Sequence, residues 1–345
     1  MRALFIFIGV VSTLCARGPQ RQQAYVVADL DTGKILKKKN IHASCYPASL
    51  TKMMTLYLLF ESLRDGQVKL TTKFLVSPLA QQQMRTRLNL KVGERVPVKV
   101  LLESLVIKSA NDAAIVVAEG LAGSVLAFVN RMNAKAKKLR MTETQFRNPS
   151  GVPDSQQVSS ARDMALLVRA LWRDFPEQMF WFQMRSFVYK QKTHWTHNYL
   201  LNTLPGTNGM KTGYTDASGY NIAVTVERYD VDKKRRRFLC VYMGGSSGFA
   251  RDQAVISLLE PLLLEHDAVY YDIHMATQSK IGGVRGRTPH LVRAMICSPH
   301  AMEQLLLQYE LHHEMLTKGK EQAEDITAFL AQRMVKKARN QRKTK

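Results

Sequence analysis

The sequence predicts a mixed α/β (α+β) domain, an antiparallel sheet flanked by helices, and three stretches carry that expectation. Near the start, Ala24 to Leu30 and Lys34 to Lys37 flank Asp31-Thr32-Gly33, the pattern of a hairpin with glycine near its turn. From Val98 to about Leu139 apolar residues recur at helical spacing, broken only at Ser109-Ala110-Asn111 and at Gly123-Ser124. Later, Tyr220 to Glu227 and Phe238 to Met243 read as two antiparallel strands joined by a basic tip at Lys233 to Arg237. A helix from about Phe249 to Glu265 closes the unit, and strands, a helix cluster and strands again suit a sheet covered by helices.

Taken in order, residues 1–16 have the shape of a secretory signal peptide. Met1-Arg2 precede an apolar run from Ala3 to Val11, and small residues lead to Cys15-Ala16. The run is too short to span a bilayer, and the bulky Leu14 before Cys15 disfavours a lipoprotein. The early hairpin is followed by Leu56-Tyr57-Leu58-Leu59-Phe60, an apolar and helical stretch, with short strand and turn signals around Leu75 to Ser77 and Leu88 to Arg95. Asn148 to Pro153 is a turn-rich loop, and Ser159-Ser160 then cap a helix running to Leu171-Trp172. Beyond it come a strand-like Ser186 to Lys190 and a loop carrying Lys211. The character changes from Asp272, where Gly282, Gly283 and Gly286 form a linker and helical spacing runs from Met302 to Val335 into a basic end. The expected organisation is therefore a leader (1–16), a catalytic domain (22–267) and a mostly helical C-terminal extension with a basic tail (268–345).

The chain of 345 residues is 46% hydrophobic and 23% charged, which excludes a disordered protein. Its net charge of +22 favours acidic polymers or an anionic membrane surface as neighbours. Nucleic acid is not expected, because an export signal argues against it and the basic residues fall in separated clusters. Once Cys15 leaves with the leader, Cys45, Cys240 and Cys297 remain, an odd number that allows one disulfide at most and favours buried free thiols. No Cys/His spacing typical of zinc is present, so no metal is expected.

Three short motifs carry the chemistry. Ser49-Leu50-Thr51-Lys52 puts an amine one helical turn from a hydroxyl, on the same face if Ser49 opens the helix. A serine hydroxyl is a poor nucleophile until a neighbouring base takes its proton, and Lys52 is placed to do that. Read alone, the same spacing also fits an N-cap serine with a solvated lysine. Ser109-Ala110-Asn111 and Lys211-Thr212-Gly213 change the balance, because Ser-x-x-Lys, Ser-x-Asn and Lys-Thr-Gly in this order are the signature of penicillin-binding proteins and serine β-lactamases.

With these motifs in their setting, the chain resembles the serine D-alanyl-D-alanine carboxypeptidases over about residues 22–265. The landmarks are Ala28 to Leu36, Pro47 to Lys52, Lys108 to Ala114, Phe128 to Asn133, Asn148 to Gly151 and Ala161 to Ala165. The resemblance implies a β-lactamase/transpeptidase-like fold and a penicillin-sensitive enzyme that trims peptidoglycan stem peptides in the periplasm or cell envelope, with β-lactams as inhibitors and no cofactor. It implies that Ser49 is the acylated nucleophile, Lys52 its base, and Ser109 a relay to the leaving D-alanine. Asn111 would hold the substrate amide and orient Lys52. Lys211, Thr212 and Arg251 would receive the terminal carboxylate, beside Gly213 and an oxyanion hole built from the N–H groups of Ser49 and Tyr214. Two departures stand out: Ser218 occupies a place where the family tends to have alanine, and the all-β stalk common in the family is not recognisable after residue 270. A serine β-lactamase is the rival enzyme, but Asn148 to Asp163 offers no glutamate to activate a deacylating water. A non-catalytic wall-binding protein would have no need of the intact set.

Overall fold

The computed structural model describes residues 19, 21–84, 86–229 and 234–265. The expected leader and the extension from 268 onward, with its linker, helices and basic tail, lie outside the described residues.

In chain order the elements are β1 (Ala24–Asp29), β2 (Ile35–Lys39), a 3-10 turn (Ala48–Thr51), α1 (Lys52–Arg64), β3 (Lys73–Leu75), α2 (Pro78–Gln81) and β4 (Arg95–Pro97). Next come α3 (Val98–Glu103), a π-helical turn (Ser104–Lys108), α4 (Asn111–Ala122), α5 (Val125–Lys138) and α6 (Ala161–Asp174). A 3-10 stretch (Pro176–Gln183), β5 (Ser186–Tyr189), β6 (Lys192–Trp195), α7 (Leu200–Thr203), β7 (Thr207–Thr215), β8 (Gly219–Tyr229), β9 (Arg235–Gly245) and α8 (Gly248–Glu265) follow. The expected antiparallel sheet has five strands in the order β2-β1-β9-β8-β7, so β7 is an outer strand.

Strand alternation divides the apolar residues between two cores. Ile222, Val224 and Val226 of β8, with Phe238, Cys240 and Tyr242 of β9, pack with Val255, Leu259 and Leu263 of α8. Their neighbours Ala223, Leu239, Val241 and Met243 enter the larger core built with α1, α4 and α6. Both faces of the sheet are thus covered, which explains why β8 and β9 read as nearly continuous apolar runs. Lys52 to Phe60 are all buried, so α1 runs through the middle of the large core, and no polar stripe marks its sequence. Ser124 and Ser160 cap α5 and α6 by accepting from the N–H groups of Ala127 (3.1 Å) and Asp163 (3.2 Å), as the second was expected to do.

Three local differences from the sequence expectation have physical causes. Lys211 lies within strand β7 rather than in a loop, because the glycines and Thr207-Asn208 that read as turn punctuation belong to a strand pressed against other backbone. The β5–β6 hairpin has its second strand in Lys192 to Trp195, too polar to be seen as one. The helix before Ser109 finishes in the π turn, a form found often at functional sites. Cys45 and Cys240 are buried free thiols, as expected.

Candidate active site

Ser49 does not open α1. It sits in the 3-10 turn ahead of it, makes no capping hydrogen bond, and is half-buried at the cleft. Lys52 begins α1 with its Nζ 3.0 Å from Ser49 Oγ, so the three-residue spacing still brings amine and hydroxyl together. The turn is held by backbone that few residues could adopt: Ala48 has φ +47°, and Gly151 at φ +85° passes so close that a Cβ there would overlap Ala48 O. From the sheet side, the fully buried Asn221 donates to Tyr46 O (2.9 Å) and Pro47 O (3.3 Å), while its Oδ1 accepts from Gly244 N (2.9 Å). Ser49 is therefore positioned against strands β8 and β9 as well as by its own turn.

Lys52 is fully buried. Its Nζ also donates to Asn111 Oδ1 at 2.7 Å and to the backbone oxygen of Ser150. Every partner is neutral, so burial first, and the charge of Lys211 second, hold its pKa well below the ordinary 10.5. The carboxylate of Asp112 opposes this from a distance but is committed to the backbone N–H groups of Leu88 and Leu90.

Ser109 follows the π turn in the left-handed region (φ +60°, ψ +38°), a conformation that costs a non-glycine residue about 1–2 kcal/mol. Thr86 fixes this corner, with its Oγ1 donating to Ser109 O at 2.8 Å and its carbonyl accepting from Asn111 N at 2.7 Å. The corner directs the Asn111 amide to Lys52 through Oδ1 and to Met84 O (3.1 Å) through Nδ2. The Ser109 hydroxyl is buried without a hydrogen-bond partner among the described residues, as suits a group waiting for substrate.

Strand β7 forms the opposite wall. A Cβ on Gly213 would lie 2.9 Å from Ser49 N, so only glycine allows this approach, and the peptide leading to Tyr214 N comes beside the nucleophile's own N–H. Lys211 is buried, and burial together with the Arg251 charge brings its pKa down to about 7. Thr212 is nearly buried, whereas Tyr214 is exposed, with its hydroxyl donating to Asp216 Oδ1 at 2.6 Å. Arg251 reaches this end of the cleft with its guanidinium already engaged: Nε and one terminal nitrogen donate to Asp252 Oδ1 (2.9 and 2.8 Å), and the other to Asn221 O (3.3 Å). Its charge acts on Lys211, while its planar fork is used on Asp252.

Comparisons with known proteins place the chain in a family. A family profile described as D-alanyl-D-alanine carboxypeptidase (Peptidase_S11) matches residues 16–246. The chain belongs to that family. Among its relatives, the D-alanyl-D-alanine carboxypeptidase DacF of Bacillus subtilis is 34% identical over 239 residues, covering 68% of this chain and 60% of the relative. The chain thus spans about three fifths of the length of the curated relatives it matches. The crystal structure of the D-alanyl-D-alanine carboxypeptidase DacD from Francisella tularensis superposes with a TM-score of 0.65 at 28% identity, over 75% of this chain and 73% of that one. Penicillin-binding protein D2 of Listeria monocytogenes, solved in its ampicillin-bound form, superposes at 0.62 and 27% identity, over 69% of this chain and 95% of that one. The fold is accordingly the β-lactamase/transpeptidase-like one.

Within this family member, sequence reasoning missed the groups that hold the motifs rather than the motifs. Ser150 was part of a landmark loop, yet its role is a backbone oxygen, which no side-chain motif reveals. Asn221 did leave a signal, as a polar residue inside an otherwise apolar strand. Asp112, next to Asn111, is buried and pins the Leu88–Leu90 segment, and only its burial distinguishes it from a surface acid.

Proposed function

We propose that this chain is a penicillin-sensitive serine D-Ala-D-Ala carboxypeptidase that removes the terminal D-alanine from peptidoglycan stem peptides. The observation that carries the reading is the environment of Lys52. A neutral amine keeps two N–H bonds and one lone pair; with the N–H bonds on Asn111 Oδ1 and Ser150 O, the lone pair faces Ser49 Oγ. As Oγ attacks the penultimate D-alanine carbonyl, Lys52 takes its proton. The carbonyl oxygen becomes an oxyanion facing the N–H groups of Ser49 and Tyr214. The Ser109 hydroxyl passes a proton to the nitrogen of the departing D-alanine, the C–N bond breaks, and the ester on Ser49 is later hydrolysed by water. Lys211 and the Thr212 hydroxyl receive the terminal carboxylate, and Arg251 adds positive charge behind them.

A β-lactam offers a strained amide and a carboxylate in a similar arrangement and acylates the same oxygen. Incubation with a fluorescent penicillin, followed by peptide mass mapping, should place the label on Ser49, and Ser49→Ala should lose both labelling and D-alanine release. A label on another residue, or labelling that persists in Ser49→Ala, overturns the assignment.

The sequence extends the proposal to location. The apolar leader suits export to the cell envelope, and the stretch from Arg333 to Lys345 carries seven basic and no acidic residues, which suits an anionic membrane surface. Truncation after Leu330 should reduce co-sedimentation with anionic vesicles at low salt, and unchanged binding overturns that part.

A further inference from the structure

Ser109 meets two demands that conflict. Its place at the end of the π turn needs a left-handed backbone (φ +60°, ψ +38°), which glycine adopts freely, yet proton transfer needs a hydroxyl, which glycine lacks. A residue with a side chain stays in that region only where its surroundings impose it. Two hydrogen bonds grip the Ser109 backbone: its N–H donates to Ser104 O inside the π turn, and its carbonyl accepts from Thr86 Oγ1 at 2.8 Å. The second grip comes from outside the helix, from a half-buried side chain in the segment before β4.

That segment is itself tied to the helix it serves. Asp112, one residue after Asn111 in α4, accepts from Leu88 N (2.9 Å) and Leu90 N (3.1 Å), and Arg87 folds back to donate to Gln83 O (3.0 Å) and Asn89 Oδ1 (2.9 Å). The two ends of Thr86 then have different tasks. Its backbone carbonyl accepts from Asn111 N (2.7 Å) and supports the residue that steadies Lys52, while its side chain holds the Ser109 carbonyl. A change of side chain therefore releases Ser109 and leaves the support of Asn111 and Lys52 intact.

We propose that Thr86 is a positioning residue for protonation of the leaving group: its hydroxyl locks the peptide after Ser109 and so keeps Ser109 Oγ in place for the transfer. The inference rests on the carboxypeptidase reading above. When the tetrahedral adduct on Ser49 collapses, the C–N bond breaks and its electron pair stays on nitrogen. Ser109 Oγ gives that nitrogen a proton and regains one from Lys52, which had taken it from Ser49. With the Thr86 bond gone, the Ser109–Ala110 peptide turns, the backbone relaxes out of the left-handed region, and the hydroxyl leaves its line to the nitrogen. Misplacement by about 1 Å is enough to cost on the order of 100-fold. The loss falls on leaving-group departure, because attack by Ser49 depends on Lys52.

The test compares two leaving groups on the full chain: an acetylated tripeptide ending in D-Ala-D-Ala, and the matching thioester in which sulfur replaces the last peptide nitrogen. A thiol with an ordinary pKa of about 8.5 departs as thiolate without a proton, whereas an amine does not depart unprotonated. Thr86→Val keeps the shape and the backbone carbonyl but removes the donor. It should lower kcat/KM by roughly 10- to 100-fold for the peptide and by less than about threefold for the thioester, the same split as Ser109→Ala. Thr86→Ser keeps the donor and should stay within about threefold of the wild type on both substrates. Thr86→Ala, which removes the donor without added bulk, should reproduce the split and decides the matter if the valine variant does not fold. Equal losses on the two substrates mean a structural role and overturn the proposal, as does a wild-type peptide rate in Thr86→Val. If the wild type itself releases no D-alanine from the peptide, the carboxypeptidase reading fails instead, and the proposal falls with it.

Discussion

The N-terminus of α6 and the cleft beside α1 each bury a charge completely, and they treat it in opposite ways. Asp163 is surrounded by groups that answer it: Oδ2 accepts from Glu143 N (2.7 Å) and Thr144 Oγ1 (2.8 Å), and Oδ1 from Arg162 (2.9 Å). Burial pushes its pKa up, and these donors pull it back. Lys52 has only neutral oxygens around it, and the nearest charge that acts strongly on it is another buried cation, Lys211. The charge of Asp163 is compensated by its donors; Lys52 is left where losing its proton relieves the cost of burial, as the role proposed for it requires.

Removing the capacity to lose that proton should have the largest effect. Lys52→Arg keeps a cation that does not deprotonate in proteins, so the rate of penicillin labelling should fall by about 10²–10⁴-fold. A decrease of less than tenfold would break the contrast between the two sites. Gly213→Ala comes next, since its Cβ would lie 2.9 Å from Ser49 N and must move either β7 or the nucleophile. Misplacement on that scale should cost about 100-fold in acylation, read as the rate of penicillin labelling of the folded protein. Asp163→Ala should do the reverse. It leaves three donors without their acceptor and should destabilise the domain by about 2–3 kcal/mol in denaturant, while the folded fraction is labelled at the wild-type rate.

A further effect is one of pH, and its sign separates the two kinds of site. Lys211 titrates near 7 in the folded chain and near 10.5 when unfolded, and Lys52 is shifted in the same direction. Above about pH 7 the unfolded chain binds more protons than the folded one, so these lysines make stability rise with pH. The rise should level off above about pH 9, where the thiols of Cys45 and Cys240 ionise once unfolded although burial holds them protonated to about 11 and 12 in the fold. Denaturant titrations between pH 6 and 10 measure this, and Lys211→Met should flatten the rising limb. A stability that falls steadily from pH 7 to 9 would show that the buried lysines are neutralised by partners.

The sequence was most legible where one residue type does one job. Ser49, Lys52, Ser109, Asn111 and Lys211 declare themselves by spacing, and the helices from Val98 to Leu139 by periodicity. What escaped notice was work done by backbone or by close approach. The Ser150 oxygen that holds Lys52 leaves no trace in side-chain identity, and Gly213 reads as a turn residue when it is a strand residue with no room for a Cβ. The 3-10 turn at Ser49 can read as the start of α1 because the two differ by a single set of hydrogen bonds, below what apolar spacing can resolve. Arg251 is implied by the family resemblance alone, and its engagement with Asp252 depends on both being buried, which the adjacent pair of letters does not announce.

The two free thiols have a consequence for how this domain meets its surroundings. Cys45 lies in the approach to the nucleophile and Cys240 in the middle of β9 facing α8, both buried and both far from forming thiolate at neutral pH. Thiol–disulfide exchange proceeds through the thiolate and requires access to it. Among the described residues there is consequently no disulfide for a reductant to cut, and both folded thiols are shielded from oxidants by burial.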